Sequence, residues 1–243
     1  MKLNILCLYP NMLDLYGDNN NIDILKYRAK KRNIELNIDS YTVEDDIPLF
    51  SSYDLVFLSS NGDEEQKIII KDLIRYKKEI KKSIKDGTFY LLIADGFHMF
   101  GKSFVDYLGN RVDGLNIFDY YTETGTKCIG DIIIETEITK ENIKLLGFEN
   151  HSSWTHNVKS PLGKVIYGNG NSYKANEEGF MDKNVIGTNM HGPFLSKNPE
   201  LTDYILKYCL ERKYKEEIKL ENIDDEFENT AKKEMLDKLL GNI

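Results

Sequence analysis

The sequence predicts an α/β fold built on a doubly wound, mostly parallel sheet. Three observations carry that prediction. The runs Leu3 to Tyr9, Asp54 to Ser59 and Phe89 to Ile93 are dominated by apolar residues, the mark of strands buried on both faces, which belong to parallel sheets. Segments with apolar residues at helical spacing alternate with them. The resulting order, β-α-β-β-α-β-α, is the doubly wound pattern, in which ligands sit beyond the carboxyl ends of the strands.

Pro10 ends the first strand, and a polar Gly/Asn-rich loop runs to Asn21. Ile22, Leu25 and Ala29 then recur among Lys and Arg, giving an amphipathic helix over Asn20 to Asn33. Ile34 to Val43 alternates apolar and polar residues, as a half-exposed edge strand does. After the third strand, Asp63, Glu64 and Glu65 open a helix where acidic side chains suit the macrodipole. Its stripe of Ile69, Leu73, Tyr76, Ile80 and Ile84 predicts one helix up to Gly87. Phe89 to Ile93 follows and breaks at Ala94-Asp95-Gly96, and a helix-like segment covers Phe97 to Phe104. Gly130 to Ile138, Lys144 to Phe148 and Val185 to Asn189 read as further strands, and Pro199 to Lys213 as a helix burying Leu201, Ile205 and Tyr208. Beyond Tyr214 the chain is highly charged, with one helix over Asn229 to Leu240 packing through Ala231, Met235 and Leu239. The expected organisation is an α/β domain over residues 1–213 and a charged helical tail over 214–243, the tail helix lying against its own domain.

Composition excludes several functions. The 243 residues include 32 basic and 40 acidic side chains, a net charge of −8, and no long Lys/Arg cluster marks a nucleic-acid partner. Three cysteines without metal-like spacing speak against a disulfide framework and against zinc, and fit a reducing cytosol. The N-terminus turns polar too soon for a signal peptide, and no apolar run approaches the roughly 20 residues that span a bilayer. The expectation is a cytoplasmic protein, not integral to a membrane, without a metal or cofactor.

The strand–turn–helix around Ala94 has the pattern of a nucleophile elbow, whose apex is Cys or Ser; Ala94 carries no nucleophilic atom. The loops after Tyr9, Ser59 and Ala94 converge on one site by the switch-point rule. GFENHSSWTH, Gly147 to His156, concentrates histidines and the only tryptophan, and His191, before Gly192-Pro193, is held on a rigid turn at a strand's carboxyl end. Cys7 falls in a strand and Cys209 in a helix, both expected in the core, whereas Cys128 falls in a loop and stays open as an alternative thiol.

LYPNMLDLYGD, SSNGDEEQ, LLIADGFHMFG, GFENHSSWT and GTNMHGPFLSKNPEL, in this order, resemble the GatD family of glutaminase subunits of lipid II isoglutaminyl synthase, among the CobB/CobQ-type class I glutamine amidotransferases. The resemblance covers nearly the whole chain. It implies a flavodoxin-like α/β fold, a Cys that attacks the glutamine side-chain amide, a His as its base, and ammonia delivered within a heterodimer to a Mur-ligase-like partner, MurT. That partner uses ATP to amidate the D-glutamate of the peptidoglycan stem. His191 matches the family's base and Ala94 the position of its Cys. Gly62, Asp63, Gln66, Asp95, Gly96, His98, Lys127, Glu149, Asn150 and His151 match residues around the glutamine pocket.

The departures cluster there. The family's C-G-G-Y-Q stands here as Ala94-Asp95-Gly96-Phe97-His98, its G-G-G run as Ser59-Ser60-Asn61, and its G-G-R-T as Ser152-Ser153-Trp154-Thr155. A single exchange at Ala94 would leave these neighbours intact, so the pattern reads as loss of glutaminase chemistry. The resemblance implies a glutaminase subunit that does not hydrolyse glutamine as written; the alternatives are a structural or regulatory partner of a Mur-ligase-like enzyme, or a small-molecule binder.

Overall fold

The computed structural model describes residues 1–243 apart from 13–14, 44, 47–48, 60–64, 107, 140 and 242–243. Its first half contains β1 (Lys2–Leu8), α1 (Asn20–Lys31), β2 (Glu35–Tyr41), β3 (Leu55–Leu58), α2 (Glu65–Arg75), α3 (Lys77–Lys85), β4 (Phe89–Ile93) and α4 (Asp95–Met99). Then come β5 (Ser103–Val105), β6 (Arg111–Asp113), β7 (Tyr121–Thr136), β8 (Ile143–His156), β9 (Gly163–Tyr167), β10 (Glu177–Glu178), β11 (Phe180–Asp182), β12 (Val185–Thr188) and β13 (Met190–His191). Two helices, α5 (Pro199–Tyr214) and α6 (Glu226–Leu240), close the chain.

The main sheet has the order β11-β12-β4-β3-β1-β2 and is parallel except for β11. Its parallel part, with β12 as fifth strand, is the flavodoxin-like order. Because side chains alternate along a strand, Phe89, Leu91 and Ile93 join the core with Ile22 and Leu25 of α1 and Leu201 and Ile205 of α5. Tyr90 and Leu92 point the other way, onto Ile69, Leu73 and Ile80. β2 is the edge strand its alternation predicts.

A second, antiparallel sheet has the order β10-β9-β7-β8-β13. Here the sequence reading is corrected. The two short strands expected at 130–138 and 144–148 belong to one long ribbon, paired from Tyr121↔His156 to Thr136↔Ile143, and GFENHSSWTH lies inside β8. The polar residues of Tyr121–Lys127 and Asn150–His156 sit on a half-exposed sheet, so no apolar alternation announces them. The chain passes from β12 in one sheet to β13 in the other through the single residue Asn189.

Three further expectations are corrected. The helix expected up to Gly87 is broken at Tyr76, whose backbone leaves the helical region at φ −107°, ψ 9°. Its hydroxyl is held 3.0 Å from that of Tyr41, and the stripe continues across the break with Ile69, Leu73, Tyr76 and Ile80 all buried. The helix expected over Phe97 to Phe104 occupies Asp95–Met99 instead, and Phe104 lies on β5. A Cβ at Gly101 would meet the Tyr120 carbonyl oxygen at 2.6 Å, so the chain there turns tightly against the residue that precedes β7 rather than continuing as helix. In the tail, Ala231 is exposed, Met235 and Leu239 are half-buried, and Lys232 is the buried residue.

Polar contacts attach that tail. The Arg28 guanidinium is buried and donates to Asp203 at 2.7 Å and to Asp225, just before α6, at 2.5 Å. Arg32 donates to the Glu221 carbonyl at 2.6 Å, and Lys232 pairs with Glu200. Removing one partner of a buried ion pair leaves the other uncompensated. Arg28→Met is therefore expected to lower unfolding stability by about 3 kcal/mol and to expose residues 215–225 to limited proteolysis; unchanged denaturation and cleavage would show that the tail is held otherwise.

Candidate functional site

The site begins where β4 gives way to α4. Ala94 stands between them at φ 47°, ψ −108°, a conformation that costs a residue with a Cβ on the order of 1–3 kcal/mol. Its neighbours fix it: the Ala94 N–H donates to the Thr188 carbonyl at 2.7 Å, and the Ala94 carbonyl accepts from the His98 N–H at 3.0 Å. A Cβ at Gly96 would lie 2.5 Å from the Leu58 carbonyl oxygen. Only glycine lets α4 settle onto the end of β3, so Gly96 shapes the turn from beneath. The elbow is fully formed, and its apex is a methyl group.

His191 comes from the other sheet, on β13. Its Nδ1 lies 3.0 Å from Asp18 Oδ2, and the Gly192 N–H donates to Asp18 Oδ1 at 2.7 Å. A carboxylate accepts, so Nδ1 carries the proton and Nε2 presents its lone pair. Nε2 is buried without a hydrogen-bond partner among the described residues. The Tyr16 ring meets the imidazole edge-on at 4.7 Å. Asp18, fully buried, is a functional residue that sequence reasoning does not single out. Its one signal is its place in the loop after β1, which the switch-point rule brings to the site.

A cavity of about 950 Å³ opens over the elbow. Of the residues expected at the site, Gln66, Ala94, Asp95, His98, Lys127, Asn150, His151 and His191 line it. Gln66 Nε2 donates to Asp95 Oδ1 at 2.8 Å. His98 Nε2 lies 2.9 Å from Asn189 Oδ1 and its Nδ1 3.8 Å from Asp95. Asn150 donates to the Tyr16 hydroxyl at 2.7 Å. Glu149 sits behind the lining: its carboxylate accepts from the Asn169 and Gly170 backbone N–H groups at 2.8 and 2.9 Å, and its Oε2 is 3.6 Å from His151 Nε2. Gly62 and Asp63, like Ser60 and Asn61, lie outside the described residues.

Lys127 reaches the wall through a bulge. Thr124 pairs with Ser153 and Cys128 with His151, so the chain between them stands out from β7. A Cβ at Gly125 would lie 2.3 Å from the Trp154 ring, which therefore packs directly on the bulge. Cys128 is not in a loop, as its polar neighbours suggest, but buried on β7. Burial, with the nearby Glu149 charge, pushes its thiol up to about 11. Burial likewise raises Cys7 to about 12 and Cys209 upward. None of the three lines the cavity, so no thiolate stands in for an apex nucleophile.

A family model described as a CobB/CobQ-like glutamine amidotransferase domain matches residues 4–199. The chain belongs to the CobB/CobQ-like glutamine amidotransferases. The lipid II isoglutaminyl synthase (glutamine-hydrolyzing) subunit GatD of Staphylococcus aureus (strain N315) is 38% identical over 240 residues, 98% of this chain and 96% of that one. The corresponding subunit of Streptococcus pneumoniae (strain ATCC BAA-255 / R6) is 38% identical over 228 residues, 92% and 86% of the two chains. A glutamine amidotransferase crystal structure superposes with a TM-score of 0.52 over 84% of this chain and 98% of its own, at 14% identity, which is a likeness of fold.

Behind the elbow of this amidotransferase-family chain lies a buried polar network for which the sequence offers no signal. Glu178 is fully buried and accepts from the Asn189 N–H at 2.7 Å and the Thr188 hydroxyl at 3.1 Å. Thr188 thus holds both Glu178 and Ala94, and Asn189 holds both Glu178 and His98. Burial pushes the Glu178 carboxyl from the usual 4.5 to about 8. Between those values the folded chain keeps a proton that the unfolded chain has released. The stabilisation is therefore complete below pH 4.5, falls as pH rises, and is gone above about 8. Glu178→Gln, isosteric and always neutral, is expected to flatten this fall in urea-unfolding stability measured from pH 4.5 to 8; an unaltered pH profile would assign the proton to another group.

Proposed function

We propose that this chain is a GatD-type subunit of a cytoplasmic complex that amidates the D-glutamate of lipid II, bound to a MurT-like Mur ligase, and that it does not itself hydrolyse glutamine. The full-length similarity to GatD subunits supports the assembly. One observation carries the second half: the strained elbow and its Asp18-oriented imidazole persist around Ala94, a residue with no nucleophilic atom. Acyl transfer to sulfur needs a thiolate at the apex, with the neighbouring imidazole to take its proton. Here the apex residue that shares the cavity with that imidazole ends in a methyl group. What remains is a scaffold able to dock and a cavity able to bind.

Loss of the nucleophile from a unit that works together removes roughly a million-fold of rate. The purified chain, alone or with its ligase, is therefore expected to release no ammonia from glutamine above background. Ala94→Cys alone is expected to remain far below the ordinary 1–10³ per second, because the Asp95 carboxylate beside the apex opposes both a thiolate and a developing oxyanion. Turnover in that ordinary range would show that the apex residue is the only defect.

Docking is expected near the carboxyl ends of the main-sheet strands, where an ammonia donor opens onto its partner, through an interface of roughly 1,200–2,000 Å². Co-expression with a Mur-ligase-like protein and size-exclusion chromatography should give a stable complex whose amidation runs on ammonium and ignores glutamine. A chain that elutes alone beside a fully active ligase would refute the partner role and leave a small-molecule binder.

A further inference from the structure

Two buried acceptors on the cavity lining have no donor among the described residues, although the Lys127 side chain lines the same cavity. His191 Nε2 presents a lone pair, because Nδ1 carries the proton given to Asp18. Gln66 Oε1 is an acceptor, because the amide nitrogen of that side chain donates to Asp95. Both atoms are buried without a hydrogen-bond partner among the described residues, on side chains only 2% and 7% exposed, and both residues line the same cavity. Asp95 adds a carboxylate to that wall. His98 Nε2 lies 2.9 Å from Asn189 Oδ1, and its Nδ1 lies 3.8 Å from Asp95. Ala94, on the same lining, has no hydroxyl or thiol to donate to His191.

Buried acceptors without donors are costly, and the group that relieves them must bring N–H or O–H bonds. Water brings two donors, one too few for three acceptors, so one of its lone pairs would be left facing an acceptor. Ammonium brings four donors, no lone pair and a positive charge beside Asp95, and charge-assisted hydrogen bonds are the stronger kind. We propose that this part of the lining is a non-covalent ammonium site, with His191 Nε2, Gln66 Oε1 and the Asp95 carboxylate as its acceptors. The proposal names a ligand for the cavity already described. It depends on the function proposed above only for the ligand's onward use, the supply of nitrogen to the amidating partner.

The test uses the isolated full-length chain, so it stands whether or not a ligase partner is found. With ¹⁵N-histidine labelling, the His191 Nε2 resonance is followed during titration with ammonium chloride, methylammonium chloride, potassium chloride and L-glutamine at matched ionic strength. Ammonium and methylammonium are expected to shift it saturably. Potassium, of similar size but without N–H bonds, is expected to leave it in place. His191→Gln and Gln66→Leu, followed by ammonium-dependent thermal shift, are each expected to weaken binding about ten- to a hundredfold. Ala94→Ser retains every acceptor but adds a hydroxyl that donates to Nε2, and should weaken ammonium binding without unfolding the chain. A response to potassium equal to that of ammonium would reduce the site to a plain cation site and overturn the proposal. A response to glutamine alone, or to none of the four, would overturn it too.

Discussion

Ala94 holds a positive φ because its two backbone groups have partners on either side, Thr188 through its N–H and His98 through its carbonyl. The same short segment that supplies Thr188 goes on, through Asn189, to His191. The turn at the apex and the position of the imidazole are therefore set by one stretch of chain. That stretch is itself anchored from below by Glu178, which no water reaches. The positive φ at Ala94 is held by this arrangement of backbone partners and needs no reactive side chain.

Much of this was legible in the sequence wherever spacing alone decides the structure. Phe89 to Ile93 could only be a strand buried on both faces; Ile34, Leu36 and Ile38 could only alternate at an edge; Pro199 marked the start of α5. The place of His191 before Gly192-Pro193 was legible, but its part as a base came only with the family resemblance. Spacing fails where a distant partner decides. The stripe through Tyr76 reads the same whether the helix runs on or breaks, and the break accompanies a hydroxyl contact to Tyr41, on another element. Asp18 and His191 are 173 residues apart, and nothing near either one announces the other. The bulge that buries Cys128 and lifts Lys127 is a matter of register between two strands, and the tail is held by Arg28 rather than by the apolar stripe it seemed to carry.

The groups kept at the site and the one replaced divide along physical lines. What is kept orients: Asp18 fixes a tautomer, Gly96 permits a close approach, Asn150 ties Tyr16 across the cavity. What is missing reacts. Docking depends on shape and burial, whereas covalent catalysis depends on single atoms. The relatives at 38% identity match 98% and 92% of the chain, so the scaffold is preserved from the first strand into the tail.

The passage of the chain between sheets through Asn189 alone has a mechanical meaning. Ala94 rides on the main sheet and His191 on the antiparallel ribbon, paired to β8 at Phe148. Ile132, Ile134 and Leu145 of the ribbon lie in the same buried core as Phe89, Leu91 and Ile93, so apex and imidazole are held within one packed body. Asn189 is the splice in that body: its single-residue length sets the offset between the strand beside Ala94 and the strand that carries His191.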